Sequence, residues 1–162
     1  MTDSLQFRSA MARLGSAVCV IATDGPAGRY GITVSAVTSV SDDPPSLIVC
    51  VNRTSGANAP IKANGRLSVN VLSSDQEEIS GVFATPGILP EERFRTGEWT
   101  LSPLGNPMLG QTAASFECEV DKTEEYGTHT VLFCRVLSSR IGATKNGLIY
   151  HGRAYHQIRP FE

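Results

Sequence analysis

Apolar residues recur at helical spacing near the start of the chain, where Leu5, Phe7, Met11 and Leu14 are separated by Arg8, Ser9 and Arg13. Gly15 stops that pattern, so a short amphipathic helix is expected there. Beyond it the pattern becomes short apolar or alternating runs, the mark of strands. Ser16–Thr23 is one such run, and Asp24-Gly25-Pro26-Ala27-Gly28 is a turn. From Gly31 to Ser41 every position is small, apolar or hydroxylated and none is charged, which suits a strand pairing with the first as a hairpin. Asp42-Asp43-Pro44-Pro45 interrupts it, because proline fixes φ and the preceding residue avoids the helical region. A second apolar strand follows and ends in Asn52, Arg53, Thr54 and Ser55.

Residues 56–65 suggest one or two helical turns, with Ser55 or Asn58 as a cap and Gly65 as the C-terminal glycine. Arg66–Leu72 alternates as a strand, and Ser74–Phe83 opens like a helix, with a cap candidate and early acids. Thr85–Pro107 is rich in Gly, Pro and charge and is expected to be a long loop with short ordered pieces. Ala113–Val120 and Thr130–Leu137 are expected to be partnered strands about a polar turn at residues 121–127, and Leu148–Tyr150 a short last strand. About seven strands joined mostly by short turns argue for an antiparallel barrel or sandwich. No G-x-G-x-x-G follows a strand, so a doubly wound dinucleotide fold has no support.

The totals narrow the function. The chain of 162 residues fits a single domain spanning 1–162 with a core of its own. A formal net charge of -2, with no basic run, gives no footprint for nucleic acid or an anionic membrane. No apolar run is long enough to span a bilayer, and the polar, acid-bearing start lacks the signature of a signal peptide, which points to the cytoplasm. Cys19, Cys50, Cys118 and Cys134 each sit within an apolar run and read as buried thiols; no metal-ligand spacing is present. No hydrolytic nucleophile motif or phosphate loop occurs. Any hard chemistry would therefore belong to a bound cofactor. The hydroxyl, amide and guanidinium groups at 52–55 are the kind that hold a phosphate, though a helix cap beside a surface arginine explains them as well.

Six segments in order carry a resemblance: Gly31–Val37, Pro44–Leu47 through Asn52–Ser55, Leu67–Asn70, Glu92-Arg93-Phe94, Gly127-Thr128-His129 and Leu148–Arg153. Together they resemble the short-chain flavin reductases that serve two-component aromatic monooxygenases, with the reductase of 4-hydroxyphenylacetate 3-monooxygenase as the nearest type. The resemblance implies a mainly β, antiparallel split β-barrel of Greek-key type with short peripheral helices, assembled as a homodimer. It implies NAD(P)H-driven reduction of FAD or FMN, with the reduced flavin diffusing to an oxygenase partner. By the same resemblance Thr33, Val34, Ser35 and Ala36 line the flavin ring, where small side chains let it approach the backbone. Asn52, Arg53, Thr54 and Ser55 hold the phosphate, with Val51, Ser39 and Phe83 as further flavin contacts. His129, Tyr150 and Arg153 face the nicotinamide cofactor, NADH or NADPH. No side chain is expected to act as acid or base, and no metal is expected. A flavin-binding barrel without turnover, a sensor or carrier, is the competing reading.

Overall fold

The computed structural model describes residues 3–160. The expected first helix is α1 (Ser4–Met11), started by Asp3, whose carboxylate accepts from the Gln6 N–H at 2.7 Å. None of its residues is buried. The first strand run divides into β1 (Ser16–Ala17) and β2 (Cys19–Thr23). Val18 is the break: its N–H donates to Leu148 C=O and its C=O accepts from Leu72 N–H, each at 3.0 Å. The chain thereby passes from a three-stranded sheet into a seven-stranded one.

The long uncharged run also divides, into β3 (Tyr30–Val34) and β4 (Val37–Asp42). β2 and β3 pair as the expected hairpin, with Cys19 opposite Val34. β5 (Pro45–Asn52) returns along β4 after a turn holding a cis Asp43–Pro44 peptide. The helix that follows is α2 (Asn58–Asn64), ended by Gly65 at φ 66°. Neither expected cap serves it. Ala57 is the N-cap, while Asn58 is buried and donates to Val51 C=O and Thr130 Oγ1. β6 (Arg66–Val71) leads to α3 (Glu77–Ala84), α4 (Pro90–Arg93) and the small hairpin β7 (Trp99–Leu101) with β8 (Pro107–Leu109). Ser74 does not cap α3; Gln76 stands at its N-cap and uses its side chain on Ser73 N–H and Gly110 C=O.

β9 (Ala114–Tyr126) and β10 (His129–Ile141) correct one expectation. Residues 121–126 are strand, not a polar turn, and only Gly127 and Thr128 reverse the chain. Residues 121–126 pair only with β10, beyond the reach of β6, and every one of them is exposed, so composition imitates a loop. The chain closes with β11 (Gly147–His151) and β12 (Ala154–Ile158), a hairpin where a single strand was expected.

The large sheet runs β3-β2-β6-β9-β10-β5-β4, every neighbour antiparallel. Its two edges, β3 and β4, are joined by Ser35 and Ala36 alone. Three peptide steps span at most about 11 Å, so the sheet must roll until its edges meet, a split barrel. The barrel is filled by alternate residues of its strands, among them Ile21, Val49, Val51, Leu67, Val69 and Leu132, and α2 plugs one end with Ile61. A second apolar cluster lies outside the barrel wall, where Phe83 of α3 meets Phe94 and Trp99 at ring-centroid distances of 5.2 and 5.4 Å. Gly31 makes this contact possible: a Cβ there would stand 2.6 Å from the Phe83 ring. Cys19, Cys118 and Cys134 are buried, but Cys50 is only half-buried. Strict alternation in β5 turns Val49 and Val51 inward and Cys50 to the outer face.

Candidate functional site

Three cavities lie along the seam where the barrel edges meet, and a fourth, of about 430 Å³, lies apart from it between Ser73–Gln76, Gly97–Glu98 and Gly110–Thr112. At one end of the seam a groove of about 570 Å³ is bounded by Asn52, Thr54 and Ser55 on one side and by Phe83, Ile88 and Arg93 on the other. A pocket of about 230 Å³ continues from it, sharing Ala84, and is walled by Thr33, Ser80 and Tyr155. A larger groove of about 800 Å³ follows, sharing Ser35 and Tyr150, over Ala36, Val37, Cys50 and Arg153 with α1 as a side wall. The three form one trough along the Thr33–Ala36 seam. One end is polar and the middle is lined by small groups.

Each wall has a local cause. β3 stops at Val34 because Ser35 and Ala36 carry the chain across the seam; the Ala36 C=O accepts from Cys50 N–H at 3.0 Å. Thr33 Oγ1 donates to the Ser80 C=O at 2.7 Å, holding α3 on the barrel edge. Ser80 Oγ and Tyr155 Oη are 2.7 Å apart, which fastens the last hairpin to the same helix. Tyr155 stacks edge-on against Tyr150 at 5.3 Å. The turn between β11 and β12 places both Gly152 and Arg153 at positive φ, 60° and 65°. From there Arg153 reaches Ser9 Oγ of α1 at 3.3 Å.

At the polar end Asn52 Oδ1 accepts from the Thr54 N–H and hydroxyl at 2.9 and 2.8 Å, and Ser55 Oγ accepts from Ala57 N–H at 3.2 Å. The Gly56 N–H has no partner among the described residues, and a Cβ on Gly56 would meet nothing within 4 Å. An open backbone donor among hydroxyls, next to a helix start, fits an anion such as a phosphate. The fit to a tricyclic ring rests on Ser35 and Ala36, whose small side chains leave the seam uncrowded.

The residues expected from sequence divide into three sets. Thr33, Val34, Ser35 and Tyr150 line the middle of the trough, Ala36 and Arg153 the large groove beyond it, and Asn52, Thr54, Ser55 and Phe83 its polar end. Arg53, Val51 and Ser39 lie off it. Arg53 turns along the hairpin, pairing with Glu125 at 2.9 Å and donating to Gly127 C=O at 3.2 Å. The Val51 side chain points into the barrel core and its C=O accepts from Asn58. Ser39 is exposed on β4. His129 pairs with Asn52 across β10 and β5, and its Nδ1 is 2.8 Å from Thr128 Oγ1, so it lies near the polar end rather than beside Tyr150 and Arg153. Sequence reasoning missed Arg93, Ser80 and Tyr155 as site-forming residues. Their roles depend on how loops fold back, which no local pattern reveals; only the Glu92-Arg93-Phe94 segment carried a hint.

Electrostatics near the polar end converge on Glu125, which takes Arg53, Lys62 at 2.8 Å and the Thr130 hydroxyl. Hydrogen bonding from Lys62, then from Thr130, with the charges of Lys62 and Arg53 added, holds this carboxyl below its ordinary range. Burial raises the Cys50 thiol above its usual value. Cys19 and Cys134, deeper, are pushed up to about 12.

Residues 11–159 match the family model described as flavin reductase like domain. The chain belongs to that family. Among its relatives, the protein called FMN reductase (NADH) RutF in Ancylobacter novellus is 48% identical over 155 residues, covering 94% of this chain and 84% of the relative. The flavin reductase fold is equally plain in three dimensions. NADH:FAD oxidoreductase SgcE6 of Streptomyces globisporus, in complex with NAD and FAD fragments, superposes with a TM-score of 0.90 at 26% identity, covering 98% of this chain and 94% of that one. The styrene monooxygenase flavin reductase of Pseudomonas putida S12 gives a TM-score of 0.84 at 27% identity over 96% and 98% of the two chains.

Proposed function

We propose that this chain is an NADH-dependent flavin reductase that reduces FMN and releases it to a separate oxygenase. The observation that carries the reading is the trough: a phosphate-sized polar end joined to an uncrowded seam, with room beyond for a second planar ligand. Flavin, when bound, supplies an acceptor for the hydride of a reduced nicotinamide.

The chain's own residues bind and align. The Gly56 N–H and the Ser55 hydroxyl would receive the phosphate, while the Thr54 hydroxyl, donating to Asn52 Oδ1, holds the turn that presents them. Thr33, Val34, Ser35 and Ala36 form the floor against which the ring lies, and Phe83 and Ser80 fix that floor from behind. Tyr150 and Arg153 stand at the outer mouth, where a stacking face and a cation suit a pyridine nucleotide. Stacking two planar partners at contact distance removes the entropy of encounter, and that suffices without a protein acid or base. The names of the relatives favour NADH over NADPH and FMN as the first flavin to try. A homodimer in the cytoplasm, one domain per chain, completes the proposal.

The test is NADH and NADPH oxidation with FMN, FAD or riboflavin added, alongside flavin titration. Oxidation that depends on added flavin, fastest with NADH and FMN, is the expected result. Flavin binding without any NADH oxidation would make the chain a carrier instead. Sedimentation of the purified chain reads the dimer.

A further inference from the structure

We infer that Arg93 is a positioning residue for flavin, clamping the Thr85–Leu89 loop that forms one wall of the polar end of the trough. This rests on the trough being the flavin site. A guanidinium carries five N–H donors in a fixed fork. Four of Arg93's are spent on main-chain carbonyls: Nε on Ile88 at 3.1 Å, Nη1 on Val82 at 3.0 Å and Phe83 at 2.6 Å, and Nη2 on Thr85 at 2.6 Å. Val82 and Phe83 end α3, so their carbonyls lack helical partners and the cation sits at the negative end of that helix.

The ends of the loop are also held, Thr85 by its N–H and hydroxyl on Gly81 C=O and Leu89 by its C=O under the Glu92 and Arg93 N–H groups, but its middle is not. Among the described residues the Gly87 and Ile88 N–H groups have no hydrogen-bond partner, and Pro86 has no N–H to give. Residues 84–87 and Leu89 are exposed. Yet Pro86, Gly87 and Ile88 face Asn52, Thr54 and Ser55 across the groove. Of the side chains, it is Arg93 that ties the middle of this wall, through Ile88 C=O, to the end of α3. The clamp lies outside the barrel, on residues the barrel core does not need, so its loss acts on ligand binding more than on folding. Lysine cannot substitute: a single ammonium has three donors on one atom and cannot span four carbonyls.

Arg93→Lys and Arg93→Ala test this against FMN and riboflavin. Both variants are expected to raise the KM for either flavin by about tenfold, with kcat at saturating flavin and the KM for NADH changed less than about twofold. Free guanidinium added to Arg93→Ala should restore part of the lost affinity, a response that general instability would not give. An unchanged flavin KM overturns the clamp. So does a loss confined to FMN and absent with riboflavin, which would make Arg93 a phosphate ligand instead. Wild-type chain that binds neither flavin in a fluorescence titration refutes the site itself, and the clamp with it; variants that fail to differ from a flavin-binding wild type refute the clamp alone.

Discussion

At the scale of single residues, the trough is lined by positions where the side chain is small or the backbone is unusual. Gly31 and the Ser35-Ala36 pair were visible in the sequence as a run without bulk or charge, and they are what lets Phe83 and a flat ligand approach the strand. Arg153 was visible as a charge near the end of the chain, but its conformation was not. It holds φ 65° in the tight turn after His151, a region that costs a non-glycine residue about 1–2 kcal/mol. Gly152 before it bears the same sign of φ without that cost, so the strain is concentrated on the one residue whose side chain reaches the mouth. Arg153→Gly separates the two effects. Melting temperature should rise or hold, because the turn relaxes, while the KM for NADH increases about fivefold or more with kcat little changed. A variant that melts earlier and keeps its NADH KM would show that the arginine serves the hairpin, not the ligand.

At the scale of elements, patterns with a wet and a dry face were legible and those with two wet faces were not. β2, β5 and β6 announced themselves by burial, whereas residues 121–126 of β9 resembled a polar turn because all of them are exposed. That arm is not idle. Glu125 near its tip gathers Arg53 from just past β5, Lys62 from α2 and the Thr130 hydroxyl, tying three elements beside the polar end of the trough. Its carboxyl titrates below the ordinary value in the folded chain, Lys62's hydrogen bond being the largest cause. A depressed pKa means the unfolded chain takes up the proton first on acidification. The stabilisation is therefore complete above the unfolded value of about 4.3 and is lost as pH falls through the folded one. Glu125→Gln should melt below wild type near neutrality, and the gap should close on acidification through and below that range. A gap that stays constant between neutral and acid pH would remove the ion pairs from the account. The same variant releases Arg53, which is free then to swing toward Asn52–Ser55.

At the scale of the whole molecule, the sequence of strands was partly legible and their order was not. β3 and β4 read as one strand, yet they stand at opposite edges of the sheet; the join at Ser35-Ala36 is where the barrel closes. Nothing local distinguishes a two-residue seam from a strand interior, since both want small, uncharged residues. The closure makes the trough one object built from segments far apart in sequence: residues 33–38, 52–57, 83–93 and 150–155. If a single ligand spans it, these segments must respond together. Hydrogen exchange of the chain with and without FMN checks this. Barrel strands such as β5 and β6 should exchange slowly in both states, because their amides are buried and laddered. The amides of Gly56, Gly87 and Ile88, which lack partners, should exchange fast alone and slow on adding FMN, and those of Ser35 and Ala36 should slow at the same flavin concentration. Protection of the polar end with no change at the seam would mean that the phosphate is held while the ring lies elsewhere. On the proposed reading the ring lies on the seam and a nicotinamide reaches it from the Tyr150 side, so that outcome would also separate flavin binding from turnover.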